Sequence, residues 1–115
     1  MKRTFILAKE FSRSWDELGF TDKDLHRLKN DILKNPEVGA IMKGTGGLRK
    51  MRFAYEGRGK SGSVRVGYVD FKVKETIHLI TVFAKADQEN LTNAEKHCIK
   101  TMISNLKKEL SKESD

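Results

Sequence analysis

Three consecutive segments of the chain have the period of two that is typical of β-strands, and this pattern constrains the fold most. They are residues 48–55, 63–73 and 76–84. In the first, Met51 and Phe53 alternate with Lys50 and Arg52, so one face is apolar and the other is cationic. The last segment, TIHLITVFA, is apolar on both faces, as in a central strand. Because the three segments follow one another closely, they predict hairpin-linked antiparallel strands.

Helical patterns come before and after these strands in the sequence. Ser14 begins a predicted capping box, and Gly19 ends the short helix that follows. Thr21 caps a second helix, which is predicted to end at Asn35–Pro36. Thr92 begins a third helix, again with a capping box, and that helix carries an apolar stripe suited to docking on a sheet.

A further short strand is predicted over residues 3–8. The resulting order β-α-α-β-β-β-α predicts an α+β fold with an antiparallel sheet of about four strands. The N-terminal helical hairpin and the C-terminal helix are expected on one face of this sheet, with the other face partly open. At 115 residues we expect one domain, residues 1–115, because two cores of this size would be too small.

The net charge of +7 is concentrated in one part of the chain. Residues 43–74 contain nine Lys and Arg against two acidic residues, and the remainder has equal numbers of both signs. A localised excess of this kind indicates a polyanionic partner. The alternation predicts that Lys50, Arg52 and Arg65 meet as a shallow cationic groove on the uncovered face of the sheet.

Several other classes of protein are excluded by the sequence. The single cysteine, Cys98, allows neither an internal disulfide nor a cysteine-based zinc site. No set of His, Cys, Asp and Glu has metal-ligand spacing, so no metal and no cofactor are expected. No run approaches the roughly 20 apolar residues of a membrane span, and we expect a cytoplasmic protein with no membrane partner.

Three conspicuous residues are predicted to be structural. His78 is expected to share a buried face with Ile80 and Val82 as a histidine with its hydrogen bonds satisfied. Tyr68 is expected in the core, and Arg49 at a strand edge or in a salt bridge, because each lies on the core side of its strand.

Three motifs carry a resemblance to a known family. NPEVG at residues 35–39, GTGGLRKMR at 44–52 and GRGKSG at 57–62 resemble the HigB-like branch of the RelE/ParE toxin superfamily of bacterial toxin–antitoxin systems. The resemblance implies a RelE-like fold and a ribosome-dependent endoribonuclease that cleaves mRNA without a metal ion and inhibits translation. It also implies a cognate antitoxin protein, expected to contain a helix-turn-helix DNA-binding domain.

The resemblance also implies a set of site residues. The catalytic candidates are Lys50, Arg52, Arg65 and Lys85. Apart from the resemblance, Lys43, Arg58 and Lys60 lie in glycine-bordered loops and are candidates for contact with the RNA backbone, a role that the sequence favours about equally with simple solvation. The RelE branch has an arginine and a tyrosine after the last strand, whereas this chain has Ala-Asp-Gln after Lys85, so the general acid is left open.

Chemistry assigns roles to the three central cations. A lysine crowded by other cations has its neutral form favoured, so Lys50 is the candidate base for the ribose 2′-hydroxyl. Arg52 and Arg65 are candidates for gripping the phosphate with their planar guanidinium groups. Spacing alone favours simple phosphate binding by all three, and the resemblance favours catalysis. Two alternatives stay open: a ParE-like toxin that poisons DNA gyrase, and a non-catalytic RNA-binding module.

Overall fold

The computed structural model describes residues 2–56, 62–85, 88 and 90–113. The helices are α1 (Lys9–Glu17), α2 (Asp22–Lys34) and α3 (Asn93–Glu113). The strands are β1 (Thr4–Leu7), β2 (Ala40–Ile41), β3 (Arg49–Ala54), β4 (Ser63–Phe71) and β5 (Thr76–Ala84). A 3₁₀ turn at Lys72–Lys74 joins β4 to β5. The α+β class and the predicted order of elements are confirmed, and β2 is added.

Among the described residues, the sheet has five strands in the order β1-β5-β4-β3-β2. β1 runs parallel to β5, and the other neighbouring strands are antiparallel. The sheet is therefore mixed, whereas about four antiparallel strands were predicted. β2 is only two residues long, which is too short for a periodic pattern in the sequence. The direction of β1 depends on the elements between it and β5, and a strand's own sequence does not encode it.

Two of the three predicted helix starts are confirmed. Thr21 Oγ1 accepts from the backbone N–H of Asp24 at 3.2 Å, and the Asp24 carboxylate accepts from the Thr21 N–H at 2.9 Å. Thr92 and Glu95 form the same reciprocal pair at the start of α3, at 3.1 and 2.8 Å. These bonds satisfy backbone donors that the first turn of a helix leaves without partners.

The predicted capping box at Ser14 is wrong. α1 already begins at Lys9, directly after β1, so Ser14 lies inside the helix. The helix starts earlier because Phe11 and Trp15, four residues apart, lie on one side of it and are both buried against the sheet. Gly19 follows the end of α1 with φ of +85°, as the predicted helix stop requires.

The first face of the sheet is covered by α1 and α2. Aromatic and aliphatic side chains of these helices pack on the inward residues of β3, β4 and β5. The fully buried members of this cluster include Phe11, Leu28, Ile32, Val64 and Leu79. This face therefore contains the larger core.

The second face is covered in part by α3, which corrects the expectation of helices on one face only. Ile99 and Ile103 of α3 pack with Leu48, Val69 and Ile80 in a separate buried cluster. These three sheet residues occupy one end of the second face, and the apolar surface there requires a cover. The other end of the same face carries the cations of β3 and β4 instead.

A β-bulge interrupts the pairing of β4 with β5. Gly67 pairs with Thr81 but Tyr68 pairs with Leu79, so β5 contributes one extra residue. As a result Val82 belongs to the core under α1 and α2, whereas Ile80 belongs to the cluster under α3. The prediction that His78, Ile80 and Val82 share a face is therefore wrong for Val82.

Tyr68 is buried, as predicted, and it fixes the loop after α2. Its hydroxyl donates to the Pro36 carbonyl at 2.8 Å and accepts from the Gly39 N–H at 3.0 Å. Burial raises the pKa of the Tyr68 hydroxyl. This loop leads into β2, so Tyr68 helps to hold the β2 edge of the sheet in place.

Candidate functional site

Arg52 of β3 lies directly opposite Arg65 of β4 in the antiparallel ladder. Residues paired in this way point to the same face, with Cβ atoms about 4.5–5.5 Å apart. Lys50 is two residues from Arg52 on the same strand and pairs with Gly67, so it shares that face. The structure therefore brings together three of the four predicted catalytic residues.

The apolar residues between these cations determine which way they point. Phe53, Val64 and Val66 are buried in the core under α1 and α2. Since side chains alternate along a strand, burial of these residues turns the intervening cations to the opposite face. Arg52 is exposed, while Lys50 and Arg65 are partly buried.

Arg65 has an unsatisfied donor. Its Nη1 is buried and has no hydrogen-bond partner among the described residues. Such a donor costs roughly 1–3 kcal/mol unless an acceptor is supplied. Arg27 Nε and His78 Nε2 are also buried without a hydrogen-bond partner among the described residues. The Arg27 guanidinium, however, lies over the Phe53 ring, and the His78 imidazole packs edge-on against the Phe71 ring.

No carboxylate neutralises this group of cations within the described part of the chain. The four ion pairs found there involve other residues: Arg3–Asp70, Arg13–Glu10, Arg27–Asp24 and Lys72–Glu37. A group of like charges without a counter-ion is suited to binding an external anion.

Phe83 extends the row of Arg52 and Arg65 across the sheet. It pairs with Arg65 in the β4–β5 ladder, so it lies on the same face, and it is partly buried. A phenyl ring beside two guanidinium groups can stack on a nucleobase while the cations hold phosphate. Phe83 was not among the predicted site residues, because its position next to Arg65 depends on a register that the sequence does not reveal. We define the basic row as Lys50, Arg52, Arg65 and Phe83.

Two of the remaining predicted residues, Lys85 and Lys43, belong to the described part of the chain. Lys85 is exposed and follows the end of β5, two residues after Phe83, so it lies at the same end of the sheet as Arg65. Lys43 is exposed in the loop between β2 and β3, where the Met42 N–H donates to the Leu48 carbonyl. It therefore lies at the start of β3, away from the β3–β4 hairpin. Arg58 and Lys60 lie outside the described residues.

Arg49 has the structural role that the sequence predicted. Its Nη1 donates to the Gly39 carbonyl at 2.8 Å, next to the β2–β3 edge. It lies on the face opposite to that of its neighbour Lys50. Arg49 is therefore not part of the basic row.

His78 is buried, as predicted, with 8% of its surface exposed. Burial lowers the pKa of its imidazole. Its Nε2 lacks a hydrogen-bond partner among the described residues, which corrects the expectation of a satisfied histidine. His78 is five residues from Phe83 along β5, about 16 Å away, so it cannot act at the basic row.

Neither a membrane-spanning helix nor a metal-binding cluster is present in the described part of the chain. None of the described helices has the length and apolar character needed to cross a bilayer. Within the described ranges, no group of three or more His, Cys, Asp or Glu could hold a metal ion.

Comparison with known proteins identifies similar chains. A family model described as "RelE toxin of RelE / RelB toxin-antitoxin system" matches residues 2–114. A mutant of the E. coli toxin RelE in the free state is 20% identical, with a TM-score of 0.57 over 77% of this chain and 90% of that one. A chain of the intact E. coli RelBE toxin–antitoxin complex is 18% identical, with a TM-score of 0.53 over 71% of this chain and 94% of that one. At these identities the two structures establish a shared fold.

Proposed function

The chain belongs to the RelE toxin family, and from this premise we propose that it is an endoribonuclease that cleaves mRNA on the ribosome and thereby inhibits translation. The observation that carries the proposal is the basic row. It combines a pair of facing arginines and a lysine with the ring of Phe83, which also packs against the apolar cluster under α3.

The proposed reaction is an internal transfer at one ribose-phosphate junction. The ribose 2′-oxygen attacks the adjacent phosphorus, and the bond from phosphorus to the 5′-oxygen of the next nucleotide breaks. The products are a 2′,3′-cyclic phosphate and a 5′-hydroxyl, so the reaction consumes no water and needs no metal ion. The protein must remove the 2′-hydroxyl proton, stabilise the charged phosphorane and deliver a proton to the leaving oxygen.

The residues of the row can be assigned to these three tasks. Lys50 is the proposed general base. Arg52 and Arg65 are proposed to bind the non-bridging phosphate oxygens with their guanidinium groups. Lys85 is the proposed proton donor to the leaving oxygen, because it is exposed at the Arg65 end of the sheet.

Phe83 has a proposed role in positioning the substrate. Since it lies beside Arg65, a base next to the scissile phosphate can stack on its ring while the arginines hold the phosphate. Stacking of this kind contributes about 1–3 kcal/mol per base and depends little on sequence. Lys43, Arg58 and Lys60 are proposed to contact the RNA backbone further from the reacting phosphate.

We also propose that a cognate antitoxin neutralises this protein. One of the similar structures is a toxin–antitoxin complex, and the family is defined by such a pair. A partner with a helix-turn-helix DNA-binding domain follows from the HigB-like resemblance of the sequence. The proposed site of action is the cytoplasm, where ribosomes translate mRNA.

Induced expression followed by mapping of mRNA 5′ ends tests the proposal. The wild type is expected to arrest growth and to generate new 5′ ends within translated regions. Arg65→Ala should abolish both effects. Arg13→Ala is the matched control, because Arg13 is an exposed arginine of α1 that is paired with Glu10 and has no proposed role, and this variant should remain toxic.

The outcomes separate the alternatives. DNA damage without new mRNA ends would indicate a gyrase poison. Salt-sensitive RNA binding without cleavage would indicate a non-catalytic module. If Arg65→Ala is as toxic as the wild type, the basic row is not the active site.

A further inference from the structure

Part of one edge of β5 is open, because β5 extends beyond its neighbour β1. The two strands pair only from Thr76 to Leu79 of β5. The Ala8 N–H then donates to the Leu79 carbonyl at 2.9 Å, and the chain turns away into α1. Within the described residues, the rest of β5 pairs with β4 alone. We call the side of residues 82–84 that faces away from β4 the open edge.

The hydrogen bonds of the β3–β4 ladder show which way the backbone of β4 bonds. The Tyr55 N–H donates to the Gly62 carbonyl at 2.7 Å, so these two residues form a hydrogen-bonded pair. Hydrogen-bonded and non-hydrogen-bonded pairs alternate along an antiparallel ladder, and the Arg52–Arg65 pair is therefore of the second kind. The backbone of Arg65 consequently bonds to β5, where its partner is Phe83.

The same alternation directs the backbone groups of Val82 and Ala84 to the open edge. These two residues flank Phe83, so their N–H and C=O groups point away from β4. The Gln88 N–H shows this direction, because it donates to the Ala84 carbonyl at 3.2 Å. The Val82 carbonyl and the Ala84 N–H stand next to each other there, as an acceptor and a donor without partners among the described residues.

A pocket of about 330 Å³ lies along the open edge, between β5 and α1. Its lining comes from the end of α1, at Ser14, Glu17 and Leu18, and from the end of β5, at residues 82–84, with Gln88 beside them. We call this the edge pocket. The Val82 side chain is buried in the core, so its backbone is the part that lines the pocket. Phe83 belongs to both the basic row and the edge pocket, which makes the two sites continuous.

The chemistry of the edge pocket favours a nucleobase over a phosphate. The exposed Glu17 carboxylate would repel a phosphate, and no Lys or Arg of the described residues lines the pocket to attract one. A nucleobase is planar and uncharged, and it presents donors and acceptors along its edge. The Ala84 N–H and the Val82 carbonyl are the backbone partners for one acceptor and one donor of such an edge.

A strand of another protein fits the open edge less well. Strand addition depends on a series of main-chain hydrogen bonds. The Leu79 carbonyl is already bonded to the Ala8 N–H, and the Ala84 carbonyl to the Gln88 N–H. The few backbone groups between these two bonds suffice for the edge of one base.

We infer that the edge pocket binds one base of the mRNA beside the scissile junction, and that Glu17 selects against uracil there. This inference rests on the proposed function and adds a second base site to the ring of Phe83. A base that has bonded to the Val82 carbonyl and the Ala84 N–H has further groups left. Adenine, cytosine and guanine still have an amino hydrogen for the Glu17 carboxylate, whereas uracil has only a carbonyl oxygen, which the carboxylate repels.

Cleavage of matched messages tests the inference. Purified toxin is added to ribosomes programmed with mRNAs that differ only by cytosine or uracil at one position within two nucleotides of the cut. At one of these positions the wild type is expected to cut the cytosine message faster. Glu17→Gln should raise cleavage of the uracil message relative to the cytosine message by at least about fivefold, because an amide can donate to the uracil oxygen.

Matched variants separate the edge pocket from general effects. Asp16→Asn removes a neighbouring exposed carboxylate of α1 that does not line the pocket, and it should keep the preference of the wild type. Ser14→Leu fills the pocket and should slow cleavage of every message by at least about tenfold, because a bound base is lost. Ser12→Leu, on the same helix but outside the lining, should not. Thermal unfolding of each variant shows that its fold is retained.

Each outcome has a defined meaning. If the wild type cuts no message, the proposed function is wrong and the inference falls with it. If it cuts cytosine and uracil messages equally at every position tested, or if Glu17→Gln and Ser14→Leu cut as the wild type does, the inference is overturned while the proposed function stands. If these two variants instead weaken only the binding of a partner protein, the open edge pairs with a protein strand, and the inference is also overturned.

Discussion

Replacing Arg65 with alanine should remove activity without loss of stability, because Arg65 is suited to a ligand that the free protein lacks. Three free-energy terms decide the outcome. Removing the unsatisfied buried Nη1 recovers roughly 1–3 kcal/mol. Removing the repulsion from Arg52 recovers about 0.5 kcal/mol, taken at ~8 Å with a water-like dielectric because Arg52 is exposed.

The third term opposes the first two. Alanine keeps Cβ, so the change removes two methylene groups of Arg65, and loss of about three quarters of their burial costs roughly 1.2 kcal/mol at ~0.8 kcal/mol per group. The sum predicts that Arg65→Ala is more stable than the wild type by about 0–2 kcal/mol. For a domain of this size the melting temperature then rises by about 0–8 °C.

Urea-induced unfolding of the purified variants measures this quantity. Arg49→Ala is the matched control, since it removes an arginine from the same strand pair whose guanidinium is hydrogen-bonded to the Gly39 carbonyl. That variant should lose about 1 kcal/mol. Destabilisation of Arg65→Ala by more than about 1 kcal/mol would refute the reasoning, because it would show that Arg65 already has its partners within the fold.

Three further predictions concern the framework that holds the site. Gly67→Ala should lower the free energy of unfolding, measured by chemical denaturation, by about 1–3 kcal/mol, because a Cβ there would lie 2.7 Å from Thr81 Cγ2. The double variant with Thr81→Ser should recover most of this loss. Additive effects of the two changes would contradict the steric explanation. Thr92→Ala should destabilise the protein by about 1 kcal/mol in thermal melts, because it removes the N-terminal cap of α3. The control Thr101→Ala, in the middle of α3, should change stability by less than about 0.5 kcal/mol. Equal losses in the two variants would argue against a stabilising cap. Burial lowers the pKa of His78 in the folded protein, so the unfolded state binds more protons and the free energy of unfolding should fall as the pH drops below about 6.5. His78→Leu should reduce this pH dependence, measured as urea midpoints at about pH 7.5 and 5.5. An unchanged dependence would assign it to other groups.

The sequence predicts that Lys50, Arg52 and Arg65 lie on one face of the sheet, but it does not predict the register in which β3 pairs with β4. Period two places Lys50 and Arg52 on one face of β3 and Arg65 on one face of β4. Which residues stand opposite depends on the conformation of the loop between Ala54 and Ser63, and a glycine-rich loop of that length permits several registers. The position of Phe83 next to Arg65 could not be predicted either, because it depends on the turn at Lys72–Lys74 and on the β-bulge near Gly67.

The side of the sheet that α3 covers was also missed, although the sequence contains a signal for it. The apolar stripe of a helix indicates that it docks but not on which face of a sheet. Leu48, Val69 and Ile80 lie on the same face as the cations, and their apolar character indicates that part of this face is covered. A sequence reading that divided the face into an apolar half and a cationic half would have found both the place of α3 and the open site.

Two local errors have similarly local causes. Ser14 has the sequence of a helix cap but lies within α1, because burial of Phe11 extends the helix back to Lys9. The β-bulge near Gly67 shifts the alternation of β5, and a period-two pattern cannot reveal an inserted residue in a strand that is apolar on both faces.

The chemistry of the cut RNA tests the central claim most directly. Purified toxin is added to ribosomes programmed with an mRNA, and the ends of the products are identified. The account predicts a 2′,3′-cyclic phosphate and a 5′-hydroxyl, and no cleavage when the scissile nucleotide carries a 2′-deoxyribose or when the toxin carries Arg65→Ala. Cleavage that survives the 2′-deoxy substitution, or that leaves a 5′-phosphate, would contradict it.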